Sequence, residues 1–232
     1  MKILITGASQ GLGKSIAFKF AQSGHQLVLI ARQAEKLAAI CNELSAYAKV
    51  EYIAADLSET DKISAILAPH MGENSPDVLI NNLGVYREGV ASELSFEKLE
   101  AQLKVNLYAA IGISNCMLPF FKARGNGLIV NVGSLASHAA ISKAAAYSIS
   151  KHALKGWSDA LREEVREFGI KVSSIYPSSI NTSSWDGIKG IDFNKMVQKE
   201  DVANLIAAIV SMSDATLIEE IRLSPLQNFL LE

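Results

Sequence analysis

The sequence predicts an α/β protein, a doubly wound, seven-stranded parallel sheet with helices on both faces, forming one domain over residues 1–232. Three observations carry this. Seven short apolar runs recur along the chain, segments of helical period separate them, and 49% of residues are apolar against 20% charged, the balance of a sheet covered on both sides. A single domain of this size buries about 70 to 75% of its unfolded surface, so its core needs no disulfide or metal.

The first run, Lys2-Ile3-Leu4-Ile5-Thr6, reads as a strand that passes through a glycine-rich turn into a helix over 13–23, closed by Gly24. "QLVLIA" at 26–31 is the second strand, followed by a helix over 33–47, and "VEYIAA" at 50–55 is the third, followed by a helix over 59–69. "DVLIN" at 77–81 leads to the longest helical segment, 95–122, after which Gly125 and Gly127 bracket the turn into "GLIVNV" at 127–132. A helix over 144–168 stops at Gly169, "KVSSIY" at 171–176 is the sixth strand, and a helix over 201–212 precedes the seventh, "LIEEIRL" at 217–223. Right-handed crossovers then place the helices on both faces. One long stretch, 177–200, lacks a clear period and is rich in Ser, Asn and Gly. A segment at a strand's carboxyl end is expected to lie over the ligand crevice, here as a lid or substrate loop, with an ordinary surface excursion as the alternative.

Bulk charge narrows the partners. With a net charge of -2 there is no basic surplus to neutralise a phosphate backbone, so no nucleic-acid partner is expected. Cys41 and Cys116 fit neither a metal spacing nor a disulfide framework and read as buried or half-buried thiols. Strand pattern begins at residue 2, which leaves no room for a signal peptide, and no apolar run approaches the ~18 residues of a membrane span. The expectation is a cytoplasmic protein with no membrane partner.

The turn after the first strand, "ITGASQGLGKS", ends like a Walker A phosphate loop in Gly13-Lys14-Ser15. That loop needs a glycine where Ala8 stands, and Gly7 is one residue too far away, so the backbone N–H groups would be aimed differently. The usual dinucleotide spacing, G-x-G-x-x-G, also fails. What remains is Thr6-Gly7-x-x-x-Gly11-x-Gly13 between a strand and a helix. Glycines permit close backbone approach and a helix N-terminus offers free N–H groups with partial positive charge, which suits a diphosphate; a turn that merely packs tightly is the alternative. Further on, Tyr147 and Lys151 in "YSISK" stand one helical turn apart on one face, and Ser134 ends the fifth strand where open sheets bind ligands.

With these residues the sequence strongly resembles the short-chain dehydrogenase/reductase family, along nearly its whole length. The matching motifs are "TGASQGLG", "AADLS" with Asp56, "NNLG" at 81–84, Asn106, Ser134, Tyr147-x-x-x-Lys151 and "PSSINT" at 177–182. The resemblance implies a Rossmann-like fold and an oxidoreductase that moves a hydride between NADP(H) or NAD(H) and a carbonyl or secondary alcohol. It implies cofactor contacts at Gly7, Ser9, Gly11, Leu12, Gly13, Arg32, Asp56, Leu57, Asn82, Gly84, Tyr147, Lys151, Ile180 and Thr182, and a catalytic set of Asn106, Ser134, Tyr147 and Lys151. Tyr147 would be the general acid/base, its pKa drawn down by the Lys151 ammonium; Ser134 would orient the carbonyl oxygen, and Asn106 would anchor a water linking Lys151 to solvent. Asp56 would accept from the adenine amino group, or cap the helix that follows, or both. Leu83 and Ser178 replace the family's usual Ala and Gly, adding bulk beside the adenosine site and stiffening the crevice mouth. Ala31 stands where NAD enzymes of the family usually carry Asp, with Arg32 next to it, so NADP(H) is expected to be preferred over NAD(H) even though Gln10 supplies no second basic group.

Other residues admit two readings. His138 lines the substrate pocket or is a solvated loop histidine, while His25, His70 and His152 read as surface positions. Trp185, Ile188, Ile191 and Phe193 form an apolar cover over the substrate or pack on the core, and Leu103, Leu107, Ile111, Leu154 and Trp157 serve a homodimer or homotetramer interface, as in the family, or intrachain packing. Two other functions share these motifs: a catalytically silent dinucleotide-binding sensor or scaffold, and an epimerase or lyase in which the nicotinamide cycles without net redox.

Overall fold

The computed structural model describes residues 1–72 and 74–227. Its strands are β1 (Lys2–Thr6), β2 (Gln26–Ala31), β3 (Val50–Ala54), β4 (Val78–Asn81), β5 (Gly127–Val132), β6 (Ile170–Pro177), the two-residue β7 (Ile180–Asn181) and β8 (Val197–Gln198), and β9 (Glu220–Leu223). The α-helices are α1 (Gly11–Gln22), α2 (Ala34–Leu44), α3 (Ile63–Leu67), α4 (Phe96–Leu103), α5 (Ala109–Arg124), α6 (Ala145–Val165) and α7 (Lys199–Val210). Seven strands form one parallel sheet in the order β3-β2-β1-β4-β5-β6-β9. The order reverses between β1 and β4, and there the chain leaves the sheet in opposite directions and opens a crevice at the strands' carboxyl ends.

Strand alternation divides the core. Ile3, Ile5, Leu27 and Leu29 face one way and meet Ile16 and Phe20 of α1, Leu37 and Ile40 of α2 and Ile206 of α7. Leu4, Val28 and Ile30 face the other way and meet Leu67 of α3, Met117 and Phe121 of α5 and Leu161 of α6. Both faces are therefore covered, as the near-continuous apolar runs required.

Several expectations change in detail. The helix expected over 95–122 is α4 and α5 joined by a five-residue π turn, Lys104–Tyr108, because the helix winds wider around Asn106. The helix over 59–69 shrinks to α3 between 3-10 turns Thr60–Lys62 and Ala68–His70. The segment 177–200 is not without regular structure: β7 and β8 pair in parallel, Ile180 beside Val197, with Met196 and Val197 buried. α1 starts at Gly11, so Gly11 and Gly13 both belong to its first turn.

His25 and His70 are half-buried instead of exposed: His25 packs edge-on against Phe20, ring centroids 5.7 Å apart, and His70 Nδ1 lies 3.4 Å from Glu51. Cys41 is buried and Cys116 half-buried, both free. Leu107 and Leu154 form a small buried cluster with Ala110, flanked by Leu103, Ile111 and Trp157, so these apolar residues do pack within the chain. Among the described residues, no helix is long and apolar enough to cross a membrane.

Candidate functional site

At the switch point the glycine turn and the segment after β4 are stitched together. Thr6 Oγ1 accepts from the N–H groups of Asn82 (3.1 Å) and Leu83 (3.0 Å), while Asn82 Nδ2 donates to the carbonyls of Thr6 (2.9 Å) and Gly7 (3.3 Å). Gly7 takes φ 66° and Gly11 φ 55°, the left-handed region where a side chain is strained. At Gly13 a Cβ would collide with the Gly7 carbonyl oxygen, so α1 begins directly on the turn. The helix carries no side-chain cap and no acidic residue in its first turn, which leaves its N-terminal N–H groups to an anion. Thr182 closes the other side, its side chain 3.5 Å from where a Gly11 Cβ would stand. Lys14 turns away to pair with Glu43 at 3.2 Å.

The groups at the ends of β5 and α6 converge. Ser134 sits in extended backbone just past β5; its Oγ accepts from the Ala136 N–H at 3.1 Å, and its hydroxyl stands close enough to the Tyr147 phenol to act on its ionisation. Lys151, one turn further along α6, is only 4% exposed, and its Nζ donates to the Val132 carbonyl at 2.9 Å and lies 5.9 Å from the centre of the Tyr147 ring. Burial pushes the Lys151 ammonium down to about 8. The expected fall at Tyr147 is corrected: burial raises its pKa, the Ser134 hydroxyl opposes the rise, and Tyr86 adds to it.

Asn106 sits in the π turn, 1% exposed, and its amide is fully engaged. Oδ1 accepts from the Val85 N–H at 2.8 Å, while Nδ2 donates to the Val85 carbonyl and to Ser150 Oγ, both at 3.0 Å. Ser150 Oγ donates in turn to the Tyr147 carbonyl at 2.7 Å, so Asn106 ties the β4 segment to the helix that carries Tyr147. A Cβ on the exposed Gly84 would stand 3.4 Å from Lys151 Nζ and 3.7 Å from Asn106 Oδ1, so Gly84 lies next to both buried polar atoms.

At the far end of the crevice, Ala31 is buried and Arg32 exposed, with Arg32 3.8 Å from Asp56. Asp56 does not cap the following helix: its Oδ1 accepts from the N–H (2.9 Å) and hydroxyl (2.7 Å) of Ser58 in a local turn, while Leu57 beside it is buried. Ser58 and Arg32 hold the Asp56 carboxyl below its usual range although burial works the other way. Gln10 accepts from Lys36 Nζ at 3.3 Å, which brings a second cation to the position the sequence left neutral.

Some expectations fall outside this constellation. His138 packs edge-on against Tyr176, centroids 4.6 Å apart, on the side of Glu220 and Arg222, so it belongs to the β6–β9 edge. Thr6 was placed in the glycine motif without a role for its hydroxyl, which gathers the crossing, and Tyr86, whose ring abuts that of Tyr147, went unrecognised in the sequence. Neither the bonds of the Thr6 hydroxyl nor the contact of Tyr86 leaves a pattern that can be read without the fold.

Comparison with known proteins follows the same outline. A family model described as short chain dehydrogenase matches residues 1–189. The chain is similar to a ketoacyl reductase of Nostoc, 34% identical over 77% of this chain and 63% of that protein, and to a dehydrogenase/reductase SDR family protein 7-like of Anopheles gambiae, 34% identical over 78% and 59%. It thus spans about three-fifths of the length of these relatives. Among solved structures it is similar to a metagenomic short-chain oxidoreductase in complex with NADP, 32% identical over 98% of each chain with TM-score 0.83, and to a short-chain dehydrogenase from Sphingobium yanoikuyae in complex with NADPH, 30% identical over 94% and 87% with TM-score 0.81.

Proposed function

The chain belongs to the short chain dehydrogenase family, and from that premise we propose that it is an oxidoreductase interconverting a small carbonyl compound and its secondary alcohol, with NADP(H) as the preferred cofactor. One observation carries the reading: a phenol beside a strand-end hydroxyl, one turn from a buried lysine, stands at the crevice that begins at an uncapped, glycine-rich helix N-terminus. The residues fit a dinucleotide. Gly7, Ser9, Gly11, Leu12 and Gly13 would face the diphosphate, Asp56 and Leu57 the adenine, and Gly84, Lys151, Ile180 and Thr182 the nicotinamide half, with Asn82 fixing the glycine turn from behind. The dinucleotide, when bound, supplies or accepts the hydride.

The protein's own groups handle the oxygen and its proton. Ser134 would hydrogen-bond the substrate oxygen, and Tyr147 would donate its proton as negative charge develops there. Lys151, held by the Val132 carbonyl, would favour transfer through its charge and recover the proton from solvent beside Asn106. The amide of Asn106 itself is committed to Val85 and Ser150, so its part is to hold the π turn and α6 in place.

NADP(H) is preferred in this reading because the end of β2 carries Arg32 and no carboxylate, and because Lys36 stands beside Gln10. An arginine–phosphate contact contributes about 1.5 to 3 kcal/mol, roughly 10- to 150-fold in affinity. The 177–200 segment is read as the lid. The same reading places the protein in the cytoplasm, which its two free cysteines suit. It works there as a homodimer or homotetramer through the half-buried Leu103, Ile111 and Trp157.

Two measurements test this. Oxidation of NADPH with a panel of carbonyls separates net reduction from a silent sensor, which gives no turnover, and from an epimerase or lyase, which gives product without consuming NADPH. In the second, kcat/KM is expected to favour NADPH in the wild type and NADH after Ala31→Asp with Arg32→Ala. Equal use of both cofactors by the wild type contradicts the role of Arg32.

A further inference from the structure

Tyr86 has no place in the machinery described so far, yet its ring meets the Tyr147 ring edge-on, centroids 5.1 Å apart and planes at 68°. It is also 51% exposed. The chain on either side of it is pinned. Before it, the Val85 N–H and carbonyl are both held by Asn106, and the carbonyl also accepts from Gln102 Nε2 at 2.6 Å; Gln102 and Asn106 are 0% and 1% exposed. After it, Gly89 bridges to the segment that starts α6: the Gly89 N–H donates to the Lys143 carbonyl and the Ala145 N–H to the Gly89 carbonyl, each at 2.8 Å. A short span between two fixed points therefore holds the ring against the phenol. Two further half-exposed apolar residues adjoin the bridge in sequence: Val90, next to Gly89, and Ile141, whose N–H donates to Ser148 Oγ of α6 at 2.9 Å.

An aromatic ring packed by its neighbour on one side and open on the other keeps apolar surface in water that a ligand can cover. Here the part of the ring that Tyr147 leaves uncovered lies next to that phenol, whose hydroxyl is near the Ser134 hydroxyl. A carbonyl oxygen between those hydroxyls would carry its substituents away from them and toward the ring. We propose that Tyr86 is a substrate-positioning residue, its open face receiving an aryl or branched-alkyl group next to the reacting carbonyl, so that the enzyme's substrates belong to that class. This rests on Tyr147 being the proton donor. Arg87 and Glu88, the next residues, are exposed and opposite in charge, so the segment sets no single sign against a neutral substrate.

The test has one binding and one kinetic readout. Calorimetry with an unreactive aryl amide is done on the NADPH complexes of wild type, Tyr86→Ala and Tyr86→Phe. The alanine variant is expected to bind about tenfold more weakly and the phenylalanine variant to regain most of the loss, given the size of an aromatic pair and the area covered. In turnover, Tyr86→Ala should raise KM for an aryl methyl ketone about tenfold, far more than it changes kcat, with a much smaller effect on a short unbranched ketone. NADPH affinity reports that the fold and cofactor site are intact. The proposal is overturned if the wild type does not bind the amide, if Tyr86→Ala binds it equally well, or if both ketones lose the same factor. Amide binding that depends on Tyr86 without turnover of any carbonyl would leave the positioning site standing and remove the proton-transfer reading instead.

Discussion

Burial strips water from the Lys151 ammonium and lowers its pKa to about 8, while the same crevice raises that of Tyr147. A cation next to a phenol is expected to lower the phenol's pKa, and from sequence that pair was all that could be seen. In the folded protein Lys151 donates to the Val132 carbonyl, and desolvation sets the direction of the shift at both residues. The consequence for stability follows from its sign. Folded Lys151 titrates near 8 against an ordinary 10.5, so the unfolded chain holds more protons between those values and stability rises with pH across that window. Below it the full penalty stands, about 3 kcal/mol for a gap of this size. Lys151→Met removes the penalty and loses one hydrogen bond worth about 1 kcal/mol, so Tm at neutral pH should rise by about 4 to 8 °C while reduction is lost. Repeating the melts near pH 10 should shrink the gain. A lower Tm for the variant at neutral pH would mean that the lysine is not held in this environment. Ser134, Tyr147 and Lys151 were legible because a strand-end hydroxyl and an i, i+4 pair leave a pattern; Tyr86 was not, since the Val85–Asn106 bonds and the Gly89–Ala144 bridge that bring it to Tyr147 exist only in the fold.

At the scale of elements, the glycine turn was readable and its tightness was not. Gly13 looked like one of three phosphate-facing glycines, yet its missing side chain serves the turn itself, lying against the Gly7 carbonyl and the Asn82 amide. Helix propensity alone would favour Gly13→Ala by about 1 kcal/mol. A backbone carbonyl cannot swing aside as a side chain can, so overpacking of about 1 to 3 kcal/mol should prevail: lower Tm and weaker NADPH binding together. An unchanged Tm would place Gly13 on an open surface. The π turn at Asn106 left no trace in sequence, because the 3.6-residue pattern of Leu103 and Leu107 runs straight through it. The β7–β8 pair was equally hidden, two residues being too few to show a period. That pair anchors one edge of the 177–200 segment to the core through Val197 and Ile180, so the segment reaches the crevice from a fixed base.

Over the whole molecule, the seven-stranded parallel sheet, its two-sided core and the crevice followed from seven apolar runs and one glycine turn, since parallel strands with right-handed crossovers leave few arrangements. Composition could not reveal which side chains meet at the crevice. That depends on Thr6 and Asn82 joining β1 to β4, and on Asn106 and Ser150 joining the β4 segment to α6, contacts between residues 21 to 76 positions apart. The reading of the molecule as a reductase turns on Tyr147 as the group that gives the proton. The most direct measurement compares NADPH binding and carbonyl reduction in the wild type and Tyr147→Phe, which keeps the ring against Tyr86 and removes only the hydroxyl. NADPH affinity should stay within about twofold, while kcat falls by roughly 10²-fold or more, the contribution of a positioned acid. Turnover retained in Tyr147→Phe with cofactor binding intact would contradict the account.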